Sequence, residues 1–285
     1  MNQTKIVFIG GGNMASALIA GLAGKLTAGA NIHVIDPNAA ALQKLQAQYG
    51  VTTSASADGD AGKAALAACD VVLLAVKPQS MRDVAAQLLP SLLPGVAGAR
   101  QPLVISIAAG IRAADLSRWL GDYGAIVRCM PNTPALIGMG ITGMVASAGV
   151  SVEQKDSADA ILRAVGPTVW LANEAKIDAV TALSGSGPAY VFYFIEAMQQ
   201  AGLELGLSAE QGTQLALATF AGAAQLATQS SEPVSVLRER VTSKGGTTYA
   251  ALTSMEASGV KDAIVKAMKA AAARGKELGD ELGAA

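Results

Sequence analysis

Two glycine-rich elements carry most of the chemistry this sequence can do. The first is Lys5–Gly21, KIVFIGGGNMASALIAG. A β-branched and aromatic run, Ile6–Ile9, meets the turn Gly10-Gly11-Gly12 and leaves as a helix through Asn13, Met14 and Ala15. Gly10, Gly12 and Ala15 spell G-x-G-x-x-A. Gly10 permits the tight turn, Gly12 lets a pyrophosphate approach the backbone, and Ala15 lets the helix pack closely on the strand. The helix N-terminus offers free N–H groups and a partial positive charge to the phosphates. A second apolar run, Ile32–Ile35, ends in Asp36, 21 residues beyond Ala15, where a ribose-binding carboxylate is expected. The pattern predicts a dinucleotide site.

The second element is Val241–Thr248, VTSKGGTT, which leads into a helix. Gly245 and Gly246 expose backbone N–H groups at that helix N-terminus, and Ser243, Thr247 and Thr248 add hydroxyl donors. Such a cluster suits a small carboxylate. The plainer alternative is a capped helix behind an ordinary loop. Lys244 is expected to point to water.

What is missing narrows the reaction. The one histidine, His33, lies inside the second strand and reads as an ordinary strand residue. Hydroxy-acid dehydrogenases need a general base for the alcohol proton, usually His or Lys. The stretch SGSGPAY, Ser184–Tyr190, is similar to the substrate motif of β-hydroxyacid dehydrogenases and makes Ser184 and Ser186 candidate substrate contacts. Yet Val191–Met198 continues that helix without a lysine. Reduction of a C=N bond fits better, because a protonated iminium accepts hydride directly and no alkoxide forms. A β-hydroxyacid-type dehydrogenase and a non-catalytic dinucleotide-sensing regulator are the alternatives.

The elements that must hold these residues alternate regularly. Strands are expected at Ile6–Ile9, Ile32–Ile35, Val51–Thr53, Val71–Val76, Leu103–Ile107, Ile126–Met130, Gly143–Ser147 and Thr168–Leu171. Helices are expected between them, at Ala39–Tyr49, Lys63–Ala68, Met81–Leu89 (closed by Pro90 and Pro94), Ala113–Leu120 and from a capping box at Ser151 and Gln154 to Val165. Continuous apolar runs such as VVLLAV mark strands buried on both faces. The alternation predicts an α/β fold with a doubly wound parallel sheet. Ligands bind such sheets beyond the strand C-termini, where Gly10–Gly12, Asp36, Ala75–Pro78, Ala108–Gly110 and Met130–Pro134 fall.

From Asn173 the strand signals stop and helices follow, at Ile177–Ser184, Pro188–Leu205, Ala209–Thr228, Val234–Val241, Thr247–Ser258 and Val260–Gly279. The expected domains are therefore 1–172, dinucleotide-binding, and 173–285, all-helical. Pro188–Leu205 carries only Glu196 and Glu204 as charges and is apolar nearly all round, which predicts burial in a subunit interface.

Composition sets the outer limits. The chain has 285 residues and a net charge of −1, which gives no electrostatic case for nucleic acid or an anionic membrane. Met1–Thr4 lead straight into the first strand without a secretory pattern, and no apolar run is long enough to span a bilayer. Cys69 and Cys129 have no metal-ligand spacing and read as buried free thiols. No metal is expected. A cytoplasmic enzyme fits these limits.

Five motifs occur in order: GGGNM at Gly10–Met14, AVKP at Ala75–Pro78, MPNTP at Met130–Pro134, SGSGPAYVF at Ser184–Phe192 and TSKGGTT at Thr242–Thr248. Together, over essentially the whole chain, they resemble the pyrroline-5-carboxylate reductases. The resemblance implies hydride transfer from NADPH or NADH to 1-pyrroline-5-carboxylate, giving L-proline. It implies a Rossmann domain followed by a helical dimerisation and substrate domain, with dimers assembled into decamers. It places Thr248 at the substrate nitrogen as the catalytic residue and the Gly245–Thr247 backbone on the carboxylate; Ser243, Ser184 and Ser186 are substrate candidates from their own motifs. It assigns the cofactor to Gly10, Gly11, Gly12, Asn13, Met14 and Ala15, to Ala75, Val76, Lys77 and Pro78, and to Ala108, Ala109 and Gly110; Asp36, Met130, Pro131 and Asn132 are cofactor candidates by their place at strand C-termini. The family leans to NADPH, whereas Asp36 would bind a ribose diol and repel a 2′-phosphate.

Overall fold

A computed structural model of the chain describes residues 3–92 and 101–284. The expected Pro94 stop lies outside these residues. The first part alternates as expected: β1 (Ile6–Ile9), α1 (Asn13–Leu22), β2 (Ile32–Ile35), α2 (Ala39–Tyr49), β3 (Thr52–Ser54), α3 (Asp60–Ala68), β4 (Val71–Leu74), α4 (Met81–Leu92), β5 (Leu103–Ser106), α5 (Ala113–Trp119), β6 (Ile126–Met130), β7 (Thr142–Ala146), α6 (Val152–Arg163) and β8 (Thr168–Trp170). The eight strands form one sheet in the order β3-β2-β1-β4-β5-β6-β7-β8. From β3 through β6 every neighbouring pair is parallel.

The central strands β1 and β4 are apolar throughout because both faces are covered. Alternate residues enter two separate cores. Ile6, Phe8, Val71, Leu73 and Ile105 pack on one face with α1, α2 and α6. Val7, Ile9, Val72, Leu74 and Val104 pack on the other with α3, α4 and α5. This period-2 division of an unbroken apolar run is what a doubly wound sheet requires.

Three local expectations change. β7 pairs antiparallel with β6, and β8 then pairs parallel with β7. The link from β6 to β7 holds only a short 3-10 helix, Thr133–Ile137, which is too little chain for a crossover to a parallel strand. Pro90 does not close α4 but lies inside it, since Leu88 and Leu92, one turn apart, are both buried. The expected helix Ile177–Ser184 is a short α7 (Ile177–Val180) followed by a π-helical turn, Thr181–Gly185.

The helical part continues with α8 (Gly187–Glu204), α9 (Ala209–Gln229), α10 (Val234–Arg240), α11 (Thr247–Ala257) and α12 (Val260–Ala284). Capping boxes open α6 at Ser151 and α9 at Ser208. The end of α12 outruns its sequence signal because arginines hold it. Arg112 Nη2 donates to Asp280 Oδ1 at 2.6 Å, and Arg118 Nη2 donates to the Gly283 carbonyl at 2.8 Å.

The chain forms two compact units. One runs to Gly185 and takes back the chain from Ala271; the other is Ser186–Ala270. Residues 173–185 stay with the sheet although their strand signals have stopped, because Glu174 pairs with Arg128 of β6 and Asn132 holds the Ser184 carbonyl. Among the described residues, no helix is long and apolar enough to cross a membrane.

Candidate active site

The β1–α1 turn is shaped by what surrounds its glycines. Gly10 has φ +99°, and a Cβ there would lie 2.7 Å from the Ala75 carbonyl oxygen at the end of β4. Any side chain would collide with the neighbouring strand, so only glycine closes this turn. Gly12 is the N-cap of α1, with no side chain capping the helix. A Cβ built on Gly12 would meet no heavy atom within 4 Å. The space beside it is open, as a phosphate group approaching the first turn of α1 needs. Ala15, by contrast, is 1% exposed and packs into the core beneath. Gly12 and Asn13 are exposed and Met14 half-buried, so the turn presents backbone to solvent on one side and packs tightly on the other.

Asp36 is tied to this turn. Its Oδ2 accepts from the Gly11 N–H at 2.7 Å and its Oδ1 from the Asn38 N–H at 2.7 Å. The two bonds fix the carboxylate while leaving lone pairs on both oxygens for hydroxyl donors. Gly10, Asp36 and Val76 line one cleft of about 360 Å³, together with Ser56, Asp83 and Gln87. Open backbone at Gly12 and a fixed acceptor at Asp36 fit a dinucleotide: the first its pyrophosphate, the second its ribose diol.

The other predicted cofactor residues border the same strand ends. Ala75 and Val76 follow β4 and are half-buried, while Lys77 is exposed and starts a one-turn 3-10 helix at Pro78. Ala108 and Ala109 follow β5. Gly110 has φ +76°, and the space where its side chain would stand is taken by Leu278 and Leu282 of α12. Gly110 thus seats the last helix.

Past β6, Met130 and Pro131 lead to Asn132, whose side chain is bonded at both its oxygen and its nitrogen. Its Oδ1 accepts from the Ile141 N–H at 2.9 Å, and its Nδ2 donates to the Ser184 carbonyl at 3.1 Å. Gly185 presses on Met130, since a Cβ there would stand 2.6 Å from Met130 Cε. These contacts hold the MPNTP motif against the π-helical turn Thr181–Gly185, in which the SGSG motif begins. The Ser184 hydroxyl donates to the Val180 carbonyl at 3.0 Å, so it supports that turn.

In the other unit, Ser243, Lys244 and Gly245 are exposed and Thr248 is half-buried. Gly245 has φ +76°, and the Gly246 N–H donates back to the Ser243 carbonyl at 2.9 Å. Gly246 is the N-cap of α11, and no side chain caps that helix. α11 thus lacks the side-chain cap that α6 and α9 carry. Free first-turn N–H groups beside Thr247 and Thr248 remain to bind an anion.

His33 stands apart from these groups. Its Nδ1 meets Thr52 Oγ1 and its Nε2 meets Ser54 Oγ, each at 2.9 Å, and burial lowers its pKa. The ring is a neutral cross-strand link.

Sequence reasoning missed Arg128 and Glu174. Arg128 is buried in β6, and its Nη1 donates to Glu174 Oε1 at 2.7 Å. The same oxygen accepts from the Ala113 N–H at the start of α5, also at 2.7 Å. One carboxylate therefore joins β6 to the segment after Ala108–Gly110. The signal that existed was a charged residue inside an otherwise apolar strand, IVRCM. Asp83 was missed as well, because nothing in the sequence brings the first turn of α4 to the end of β2.

A family model for pyrroline-5-carboxylate reductase dimerisation matches residues 174–278. A model described as NADP oxidoreductase, coenzyme F420-dependent, matches residues 5–110. The pyrroline-5-carboxylate reductase of Pseudomonas aeruginosa is 45% identical over 283 residues, covering 99% of this chain and 100% of that one. The chain belongs to the pyrroline-5-carboxylate reductase family. The solved Coxiella burnetii pyrroline-5-carboxylate reductase superposes with a TM-score of 0.89 at 38% identity, over 97% of this chain and 99% of that one. The Plasmodium falciparum enzyme, solved with NADP bound, gives 0.83 at 30%, over 98% and 99%. The five-motif resemblance is thus confirmed.

Proposed function

We propose that this chain reduces the C=N bond of 1-pyrroline-5-carboxylate to give L-proline, the last step of proline biosynthesis, in the cytoplasm. The observation that carries the reading is full-length kinship at 45% identity with a pyrroline-5-carboxylate reductase, with both glycine elements intact. NADPH or NADH, when bound, would supply a hydride to the carbon of the C=N bond, which becomes C5 of proline, and the C=N electron pair would pass to the nitrogen.

The chain's residues position and neutralise. Residues 1–172 hold the cofactor: the Gly10–Ala15 turn takes the pyrophosphate, and Asp36 takes the ribose. Residues 173–285 take the substrate and form the dimer. The Gly245–Thr247 amides hold the substrate carboxylate, which fixes the ring's face. Thr248 Oγ hydrogen-bonds the ring nitrogen as it becomes an amine. Threonine is too weak an acid or base to move a proton itself at neutral pH, so its part is a positioned hydrogen bond. Ser243 and Ser186 line the substrate side, and Ser184 acts through the turn it braces.

Assembly supports this reading. Phe192 and Tyr193 of α8 are 60% and 74% exposed, with Val191, Met198 and Leu203 also uncovered. The single chain does not bury the apolar helix that its sequence predicts to be buried. A second copy covers it, and dimers assemble further into a decamer.

Purified protein should oxidise NADH or NADPH with 1-pyrroline-5-carboxylate and form proline, while showing no oxidation of a hydroxy acid with NAD+ or NADP+. A hydrogen bond to a charged group contributes roughly 1.5–3 kcal/mol, so Thr248→Ala should lower kcat/KM for the imine about 10- to 150-fold. Thr248→Ser should retain most activity, and cofactor affinity should hardly change in either variant. Wild-type kcat/KM in Thr248→Ala would remove this residue from the reaction.

A further inference from the structure

The cleft beside Gly10 is where the adenosine end of a dinucleotide lies in a sheet of this order, next to the end of β2. Its lining has one notable feature of charge. Asp36, from the end of β2, and Asp83, from the first turn of α4, are both present, and among the described lining residues there is no lysine or arginine. The remaining polar groups, such as Ser56, Ser80 and Gln87, are uncharged.

The geometry points to an NADH-preferring reductase, in which Asp36 and Asp83 together exclude the 2′-phosphate of NADPH. This rests on the functional reading above and specifies its cofactor. Asp36 cannot swing aside for a phosphate, because backbone N–H groups of Gly11 and Asn38 hold both of its oxygens at 2.7 Å. A ribose diol donates hydroxyl hydrogens to such a carboxylate. A 2′-phosphate offers only acceptors there, and its charge has the same sign. Recognition of that phosphate normally uses an arginine nearby. Here the second charged wall residue is another acid. The two acids thus act by different routes: Asp36 by direct hydrogen bonding to the diol, and Asp83 by raising the negative potential of the cleft. Between a fixed carboxylate and a phosphate at close range, partly screened by water, the repulsion amounts to roughly 10- to 100-fold in affinity.

Calorimetric titration of the intact wild-type oligomer with NAD+ and with NADP+ tests this without the reaction. NAD+ should bind at least about tenfold more tightly, and kcat/KM with NADH should exceed that with NADPH by a similar factor. Asp36→Ser should bring both ratios toward one. Asp83→Asn should move them the same way by a smaller factor, and Asp83→Lys further than Asp83→Asn. Asp83 is exposed and makes no fold-critical contact in the core, so its variants serve even if Asp36→Ser disturbs the turn. Equal or tighter binding of NADP+ by wild type would overturn the proposal, as would ratios unmoved in all three variants. A protein that favours NAD+ but does not reduce 1-pyrroline-5-carboxylate would refute the functional reading and leave the cofactor preference standing.

Discussion

Replacing Glu174 by alanine should cost more than replacing its partner Arg128 by methionine, and the second change should rescue the first. The Arg128 side chain is 5% exposed and the Glu174 side chain 30%. Among the described residues Arg128 Nε has no partner, so the 2.7 Å bond from Nη1 to Glu174 is what compensates the buried cation. Glu174→Ala leaves that cation unpaired in a site water reaches poorly, which costs about 3–5 kcal/mol. In a domain of this size each kcal/mol lowers Tm by about 2–4 °C, so the loss is about 6–20 °C. Arg128→Met removes the charge and keeps most of the volume. Glu174 then still accepts from the Ala113 N–H and still touches water. The cost of Arg128→Met should be about 1–2 kcal/mol, chiefly a lost hydrogen bond to a charged group. In Arg128→Met/Glu174→Ala no charge is stranded, and the double variant should be more stable than Glu174→Ala alone. Equilibrium unfolding in urea, followed by circular dichroism at one protein concentration, measures all four proteins. If the two costs simply add, the carboxylate is not compensating a buried charge, and the argument fails.

Two further outcomes follow from burial. Tyr193→Asp should shift the protein to monomer in sedimentation while its circular dichroism is retained, because Tyr193 is 74% exposed on a single chain; a wild-type-sized oligomer would mean that α8 is not the contact. Phe194→Asp is a poorer probe, since Phe194 packs on Phe220 within the chain, with ring centroids 6.5 Å apart. Burial pushes the Cys69 thiol up to about 12 and raises that of Cys129 as well. Both therefore stay protonated at pH 8, and a thiol-specific reagent should modify neither in native protein but both in urea.

The sheet was legible because its signals are local. Each buried strand is a short apolar run, and each lies between a helix and a turn. The direction of β7 was less legible: TGMVA reads the same whether it pairs parallel or antiparallel, and only the length of the preceding link decides. Pro90 misled for a related reason. Its effect on a helix is local, but the burial of Leu92 one half-turn later is a tertiary fact that keeps α4 going. The π-helical turn at Thr181–Gly185 has no periodic signature in TALSG. It depends on Asn132 and Met130, which reach it from some 50 residues away in the chain.

The site divides along the same line. Gly10, Gly12 and Ala15 can be read directly because each answers a constraint of one turn: a positive φ, an open side and a close packing distance. Asp36 can be read because strand length sets its distance from that turn. Asp83 cannot, since it shares a cleft with Asp36 only when the order β2-β1-β4 places the start of α4 near the end of β2. This bears on how cofactor choice is built into such a sheet. The part of the site that binds any dinucleotide is written in one contiguous stretch, so it survives changes elsewhere in the chain. The part that distinguishes one dinucleotide from another is assembled from residues that share only a cleft. A single substitution at Asp36 or Asp83 can therefore shift the preference without touching the pyrophosphate turn. The acidic pair in this chain is the form that such a shift toward NADH would take.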